Sequence, residues 1–93
     1  MRDIERSSKF KKQFRKTLRS PNHFDLEIRF NLILDLLIND IPLPNKFHDH
    51  ALIGNFVGSR ECHVKPDLLL MYRKIGDDTL LLERIGSHSE ILK

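Results

Sequence analysis

Apolar residues recur along this chain with two different periods, and the change from one to the other divides it roughly in half. Over residues 24–39, Leu26, Phe30, Ile33, Leu34 and Leu37 fall on one helical face, while Glu27, Asn31, Asp35 and Asn39 lie opposite. Ile28, Leu32 and Leu36 widen the apolar arc, so this helix is expected to touch both a sheet and another helix. The expected start is Phe24, and no chemistry is expected on this element. An earlier helix is predicted over residues 9–19, where Phe10, Phe14 and Leu18 make one narrow stripe behind a cap at Ser7 or Ser8. Residues 1–6 read as a short strand around Ile4. Ser20, Pro21 and Asn22 break the first helix.

The second half alternates instead. Ile41 to Asn45 is a stiff connection holding two prolines, and residues 46–50 form a loop that carries His48, Asp49 and His50. Residues 55–59 enter a hairpin between glycines. In the next extended segment Glu61, His63 and Lys65 share one face, with Cys62 and Val64 on the other. Lys65-Pro66-Asp67 reads as a tight turn, followed by an apolar strand over 68–73, a turn at Gly76-Asp77-Asp78 and a last strand over 79–85. If that strand stays extended, Arg84, Gly86 and His88 fall in one phase. The predicted architecture is α+β in one domain over residues 1–93: a strand, two helices, then an antiparallel β-meander, with the helices packed on one face of an antiparallel sheet. Repeats and long linkers are absent from the sequence.

Composition narrows the partners. Ninety-three residues with 40% hydrophobic and 31% charged side chains suit a small globule with a modest core. A net charge of +3 permits nucleic acid without requiring it. The charge is concentrated, because Lys9, Lys11, Lys12, Arg15, Lys16 and Arg19 surround the first helix and no acid lies between Ser7 and Arg19. A purely solvated helix would mix signs to avoid repulsion at helical spacing, so contact with a nucleic-acid backbone is expected here. One cysteine excludes an internal disulfide and fits a reducing compartment. The N-terminus lacks the apolar core of a signal peptide, and Asp35 interrupts the best apolar run, so a cytoplasmic protein without a membrane span is expected.

The candidate chemistry lies between His48 and Tyr72, with three of the five histidines, and between Glu83 and Glu90, with Arg84 and His88. Imidazoles, a carboxylate and a guanidinium are the groups needed to move protons beside a phosphate. RNA carries its own nucleophile in the 2′-hydroxyl, so such a site needs a base, an acid and phosphate stabilisation, and this scheme requires no metal.

The segment from His48 to Leu92 resembles the YafQ branch of the RelE superfamily. The resemblance rests on Asp49-His50-x-Leu52, then Arg60-Glu61-x-His63-x-x-Pro66-Asp67, then Arg84-x-Gly86-Ser87-His88, in that order. It implies a type II toxin that cleaves messenger RNA on the ribosome, needs no cofactor and is paired with a neutralising antitoxin. It also implies that His50, His63, Asp67, Arg84 and His88 occupy active-site positions. Arg84 is then assigned to the phosphate and His88 to the leaving group as acid. His50 is the first choice of base, with His63 and Asp67 orienting it or sharing its role. Glu61 is a weaker candidate, tuning His63 or Arg84 if it is not simply solvated. Some family members carry aromatics where this chain has Leu68 and Leu92, which bears on base stacking and codon preference. Two other readings stand beside this one: a metal site from His48, His50, Cys62 and His63, and a non-catalytic RNA-binding module that uses only the basic helix.

Overall fold

Ser7 ends strand β1 (Asp3–Arg6) and caps helix α1 (Ser8–Leu18). Its Oγ accepts from the Phe10 N–H at 3.0 Å and donates to the Glu83 carbonyl at 2.6 Å, so the cap that satisfies an open helix amide also pins α1 to the sheet. This is a computed structural model, and it describes residues 1–21 and 25–91. Asn22, Phe24 and Leu92, which figure in the sequence reading, lie outside them. Helix α2 is Leu26–Ile38, followed by strands β2 (His50–Ala51), β3 (Arg60–Lys65), β4 (Leu68–Ile75) and β5 (Thr79–Gly86), then a single helical turn, α3 (His88–Ile91).

The sheet order is β1-β5-β4-β3-β2. Strands β3 to β5 form the expected antiparallel meander, and β2, begun by His50 from the segment expected to be a loop, extends it; but β1 pairs with β5 in parallel, Ile4 opposite Leu80, so the sheet is mixed. The helices explain the difference. They carry the chain across one face to the far edge, and the meander returns strand by strand until β5 lies beside β1 in the same direction.

Both long helices cover one face. Phe10, Leu26, Phe30, Ile33 and Leu37 meet Cys62, Val64, Leu70, Tyr72, Leu80 and Leu82 there, all at most 5% exposed. The Phe10, Phe14 and Phe30 rings lie 4.9–5.9 Å apart and join α1 to α2. Burying each such side chain fully contributes roughly 1.5–3 kcal/mol. The apolar arc of α2 is narrower than its sequence suggests: Ile28 is 78% and Leu32 47% exposed, because the helix meets the sheet along one side only.

The opposite face carries a small cluster of Leu69, Met71 and Ile91, with Leu52 and Phe56 packed against it. The C-terminal turn α3 is absent from the sequence reading. Its start is a capping box, in which Ser87 Oγ accepts from the Glu90 N–H at 3.3 Å and Glu90 Oε1 accepts from the Ser87 N–H at 2.9 Å. Gly86 makes room for it, since a Cβ there would come within 3.1 Å of the Glu90 carboxylate.

Candidate active site

The open face of the sheet gathers most of the chemistry. Met71 of β4 pairs with Glu61 on one side and Arg84 on the other, and Leu69 pairs with His63 and Gly86. Four polar or small positions therefore surround two apolar ones across three strands. Two bulges shape the arrangement. The one between Met71 and Tyr72 in the β4–β5 pairing sets Arg84 opposite Met71, on the open face. The one between His63 and Lys65 moves Lys65 opposite Leu68, and its ammonium bonds Asp25 at 2.6 Å beneath the sheet. The expected sharing of a face by Glu61, His63 and Lys65 holds for the first two and fails for Lys65.

His63 is the middle of three imidazoles. His48 lies 5.1 Å from it, ring centre to ring centre, and His88 lies 5.9 Å away on an edge-to-face approach. His88 reaches it from the first position of α3, not from an extended strand. The capping box therefore sets the position of this ring. The Ser87 amide and then the Lys16 ammonium, 3.0 Å from Oε2, hold the Glu90 carboxyl down at about 2. Arg84 Nη2 donates to the Glu90 carbonyl at 3.1 Å, which ties the guanidinium to the same turn.

His50 stands at the edge on β2. Its Nδ1 lies 2.7 Å from the His48 carbonyl, which can only accept, so Nδ1 carries the hydrogen and Nε2 faces Glu61 Oε1 at 3.6 Å. Glu61 is 2% exposed, and its Oε2 is buried without a hydrogen-bond partner. Arg84 Nε is buried in the same condition. A buried carboxylate oxygen without a partner, on an otherwise open face, is costly for folding. Glu61 is thus not the solvated strand residue that its spacing allows.

Of the residues singled out in the sequence, His50, His63, Arg84 and His88 are brought to this face. Asp67 stands at the exposed β3–β4 turn and lines a neighbouring groove of about 1100 Å³ instead. That groove runs between the turn and α1, with Ser87 and Glu90 on its wall. Lys12, Arg15, Lys16 and Arg19, spaced i, i+3, i+4, i+7, line its other side. Lys11 lines a second groove beside Phe10, Phe14 and Phe30, and Lys9 is exposed outside both.

His48 belongs to the ring cluster and entered the sequence reading only as a metal ligand; its proximity to His50 across Asp49 was the available signal. Cys62 points to the helix-covered face at 0% exposure, with burial raising its thiol pKa, so it is parted from the histidines. Among the described residues, no group of three or more His, Cys, Asp or Glu side chains is arranged to hold a metal ion. Nor is any described helix long and apolar enough to cross a membrane.

Comparison with known proteins places this geometry. Residues 2–93 match the model of a family described as the bacterial toxin of type II toxin–antitoxin systems, YafQ. The mRNA interferase toxin YafQ of Escherichia coli K12 is 38% identical over 91 residues, covering 97% of this chain and 95% of that protein. The E. coli DinJ–YafQ complex has been solved, and its matched chain superposes with a TM-score of 0.83 at 36% identity over 100% of both chains. A copper-bound mutant toxin from Helicobacter pylori superposes with a TM-score of 0.87 at 42% identity, covering 98% of this chain and 99% of that one.

Proposed function

Because this chain belongs to the YafQ family of bacterial toxins, we propose that it is an mRNA endoribonuclease of a type II toxin–antitoxin system. In this reading, residues 1–93 act as one toxin domain in the cytoplasm and cut message chiefly in the ribosomal A site. The observation that carries it is the placement of His50, His63, Arg84 and His88 on the one sheet face the long helices leave uncovered.

The chemistry follows from the positions. With its hydrogen on Nδ1, His50 presents Nε2 to take the 2′-hydroxyl proton. Glu61, 3.6 Å away, offsets the positive charge that then forms on the ring. The 2′-oxygen attacks the adjacent phosphorus, the P–O5′ bond breaks, and a 2′,3′-cyclic phosphate is left. His88 gives its proton to the departing 5′-oxygen. Arg84, held at one nitrogen by the Glu90 carbonyl, directs its remaining donors at the phosphate as negative charge develops. His63 stands between His48 and His88 and orients the acid. Asp67 stands on the groove wall apart from these groups and carries no proton transfer in this scheme.

The stripe Lys12, Arg15, Lys16 and Arg19 gives that groove the charge to follow an RNA backbone, with Lys9 and Lys11 adding to the field. The same basic surface suits an acidic, partly disordered antitoxin, as the DinJ–YafQ assembly of the E. coli relative suggests by analogy. Induced expression tests the reading: growth arrest with shortened messenger RNA is expected, reversed by a co-expressed antitoxin. Purified protein that leaves message intact on translating ribosomes would contradict it. If His88 can be replaced without effect on growth arrest, a non-catalytic RNA-binding module becomes the better account.

A further inference from the structure

We infer that Asp49 is a positioning residue for this site: its carboxylate, gripped on the helix side of the sheet by Tyr72 and Arg60, fixes His48 and His50 above it. The inference rests on the proposed nuclease reading and deepens it, since it names what holds the base in place.

The grip is specific. The Tyr72 hydroxyl donates to Asp49 Oδ1 at 2.5 Å, Arg60 Nη2 donates to Oδ2 at 3.0 Å, and Arg60 Nε approaches Oδ1 at 3.4 Å. Tyr72 is 1% exposed and packs in the core under the helices, so its hydroxyl is a fixed point. Arg60 pairs with Tyr72 on one side and with Ala51 on the other, so it lies between β4 and the segment that leads from Asp49 into β2. Side chains alternate along an extended segment, so anchoring Asp49 toward the helices sends His50 the opposite way, while His48, its other neighbour, adopts a left-handed backbone.

Those neighbours need an anchor. β2 is two residues long and lies at the edge of the sheet, and a pairing that short holds weakly by itself. His48 also adopts a left-handed backbone, φ 49°, which a side-chain-bearing residue keeps only where its surroundings impose it. Phe47, 2% exposed, fixes the chain just before this point, and the Asp49 carboxylate fixes it just after. Between the two anchors His48 meets His63, and its carbonyl receives His50 Nδ1. The 3.6 Å approach of His50 Nε2 to Glu61 follows from that chain of contacts.

Asp49→Asn keeps the shape and removes the charge, and Tyr72→Phe removes the hydroxyl while keeping the ring. Each variant is compared with the parent by melting, by cleavage on translating ribosomes, and by imidazole NMR signals assigned with single His→Gln variants. The expected result for Asp49→Asn is kcat lower by roughly 10- to 100-fold with KM within about twofold, because small displacements of a reacting group carry losses of that size. The His48 and His50 signals move, and those of His88 stay in place. Tyr72→Phe gives the same pattern with a smaller amplitude. Unmoved His50 signals overturn the inference, as does a parent-level kcat in an active protein. So does a drop in melting temperature with all imidazole signals shifting together, which is the mark of a purely structural residue. Should the parent cut no RNA at all, the nuclease reading fails, and the NMR comparison still decides whether Asp49 positions the two rings.

Discussion

The two faces of one sheet differ in almost every physical respect. Toward the helices, Cys62, Val64, Leu70, Tyr72, Leu80 and Leu82 are at most 1% exposed and close against aromatic and aliphatic partners. Toward solvent, the alternate residues of the same strands are Glu61, His63, Arg73 and Arg84, with a small apolar patch among them. Among the described residues, the buried side-chain atoms without a partner are Glu61 Oε2, Arg73 Nε and Arg84 Nε, all on the open face. One face is therefore optimised for folding, and the other keeps charged groups in positions that folding alone would not select. Because strand side chains alternate, β3 to β5 serve both ends with adjacent residues.

The comparison breaks if substitutions on the two faces do not separate in their effects. Phe30→Ala on the helix side should lower stability by about 3–5 kcal/mol, read as the midpoint shift of a denaturant titration. Its effect on cleavage should be confined to the loss of folded protein. Arg84→Ala on the open side should reduce cleavage roughly 10²-fold or more while leaving the melting temperature within a few degrees of the parent. Replacing Lys12, Arg15, Lys16 and Arg19 together should weaken ribosome association and flatten its salt dependence by about one unit of slope per residue, with the cleavage rate of bound complexes almost unchanged. Glu61→Gln is the sharpest comparison of the two faces. Removing a buried charge with a free oxygen should raise the melting temperature while lowering kcat, and a variant that melts below the parent would show that the carboxylate serves stability instead.

The smallest effect concerns the turn that carries His88. The folded Glu90 carboxyl is depressed from 4.5 to about 2, so its contribution to stability is complete above about pH 4.5 and fades as pH falls toward 2. Melting curves of the parent and Glu90→Gln should therefore differ at pH 6 and converge at low pH.

Much of this was legible along the chain, for a reason that particular residues show. The buried face of α2 is given by Leu26, Phe30, Ile33, Leu34 and Leu37 because helical spacing is local. Alternation likewise separates Glu61 and His63 from Cys62 and Val64. The family resemblance supplied His50, His63, Asp67, Arg84 and His88, of which the fold brings all but Asp67 to one face. Long-range pairing was not legible. The parallel β1, the turn of Lys65 to the opposite face and the placing of Arg84 by a bulge depend on register between strands distant in sequence. The α3 turn had a local signal, Ser87-x-x-Glu90, that was not used. The burial of Glu61 had none, since a carboxylate at an alternating strand position is ordinarily solvated.

The central claim is that the open face carries the acid and base of RNA cleavage, and His88→Ala tests it most directly. His88 is exposed at the start of α3, so truncation leaves no cavity and should change stability little. Cleavage of a defined message on translating ribosomes should fall by on the order of 10² to 10⁴, with ribosome binding and melting temperature held at parent values. A variant of normal stability that cuts at the parent rate would contradict the account, and a lower melting temperature with an unchanged rate would reduce His88 to a tether for the C-terminal turn.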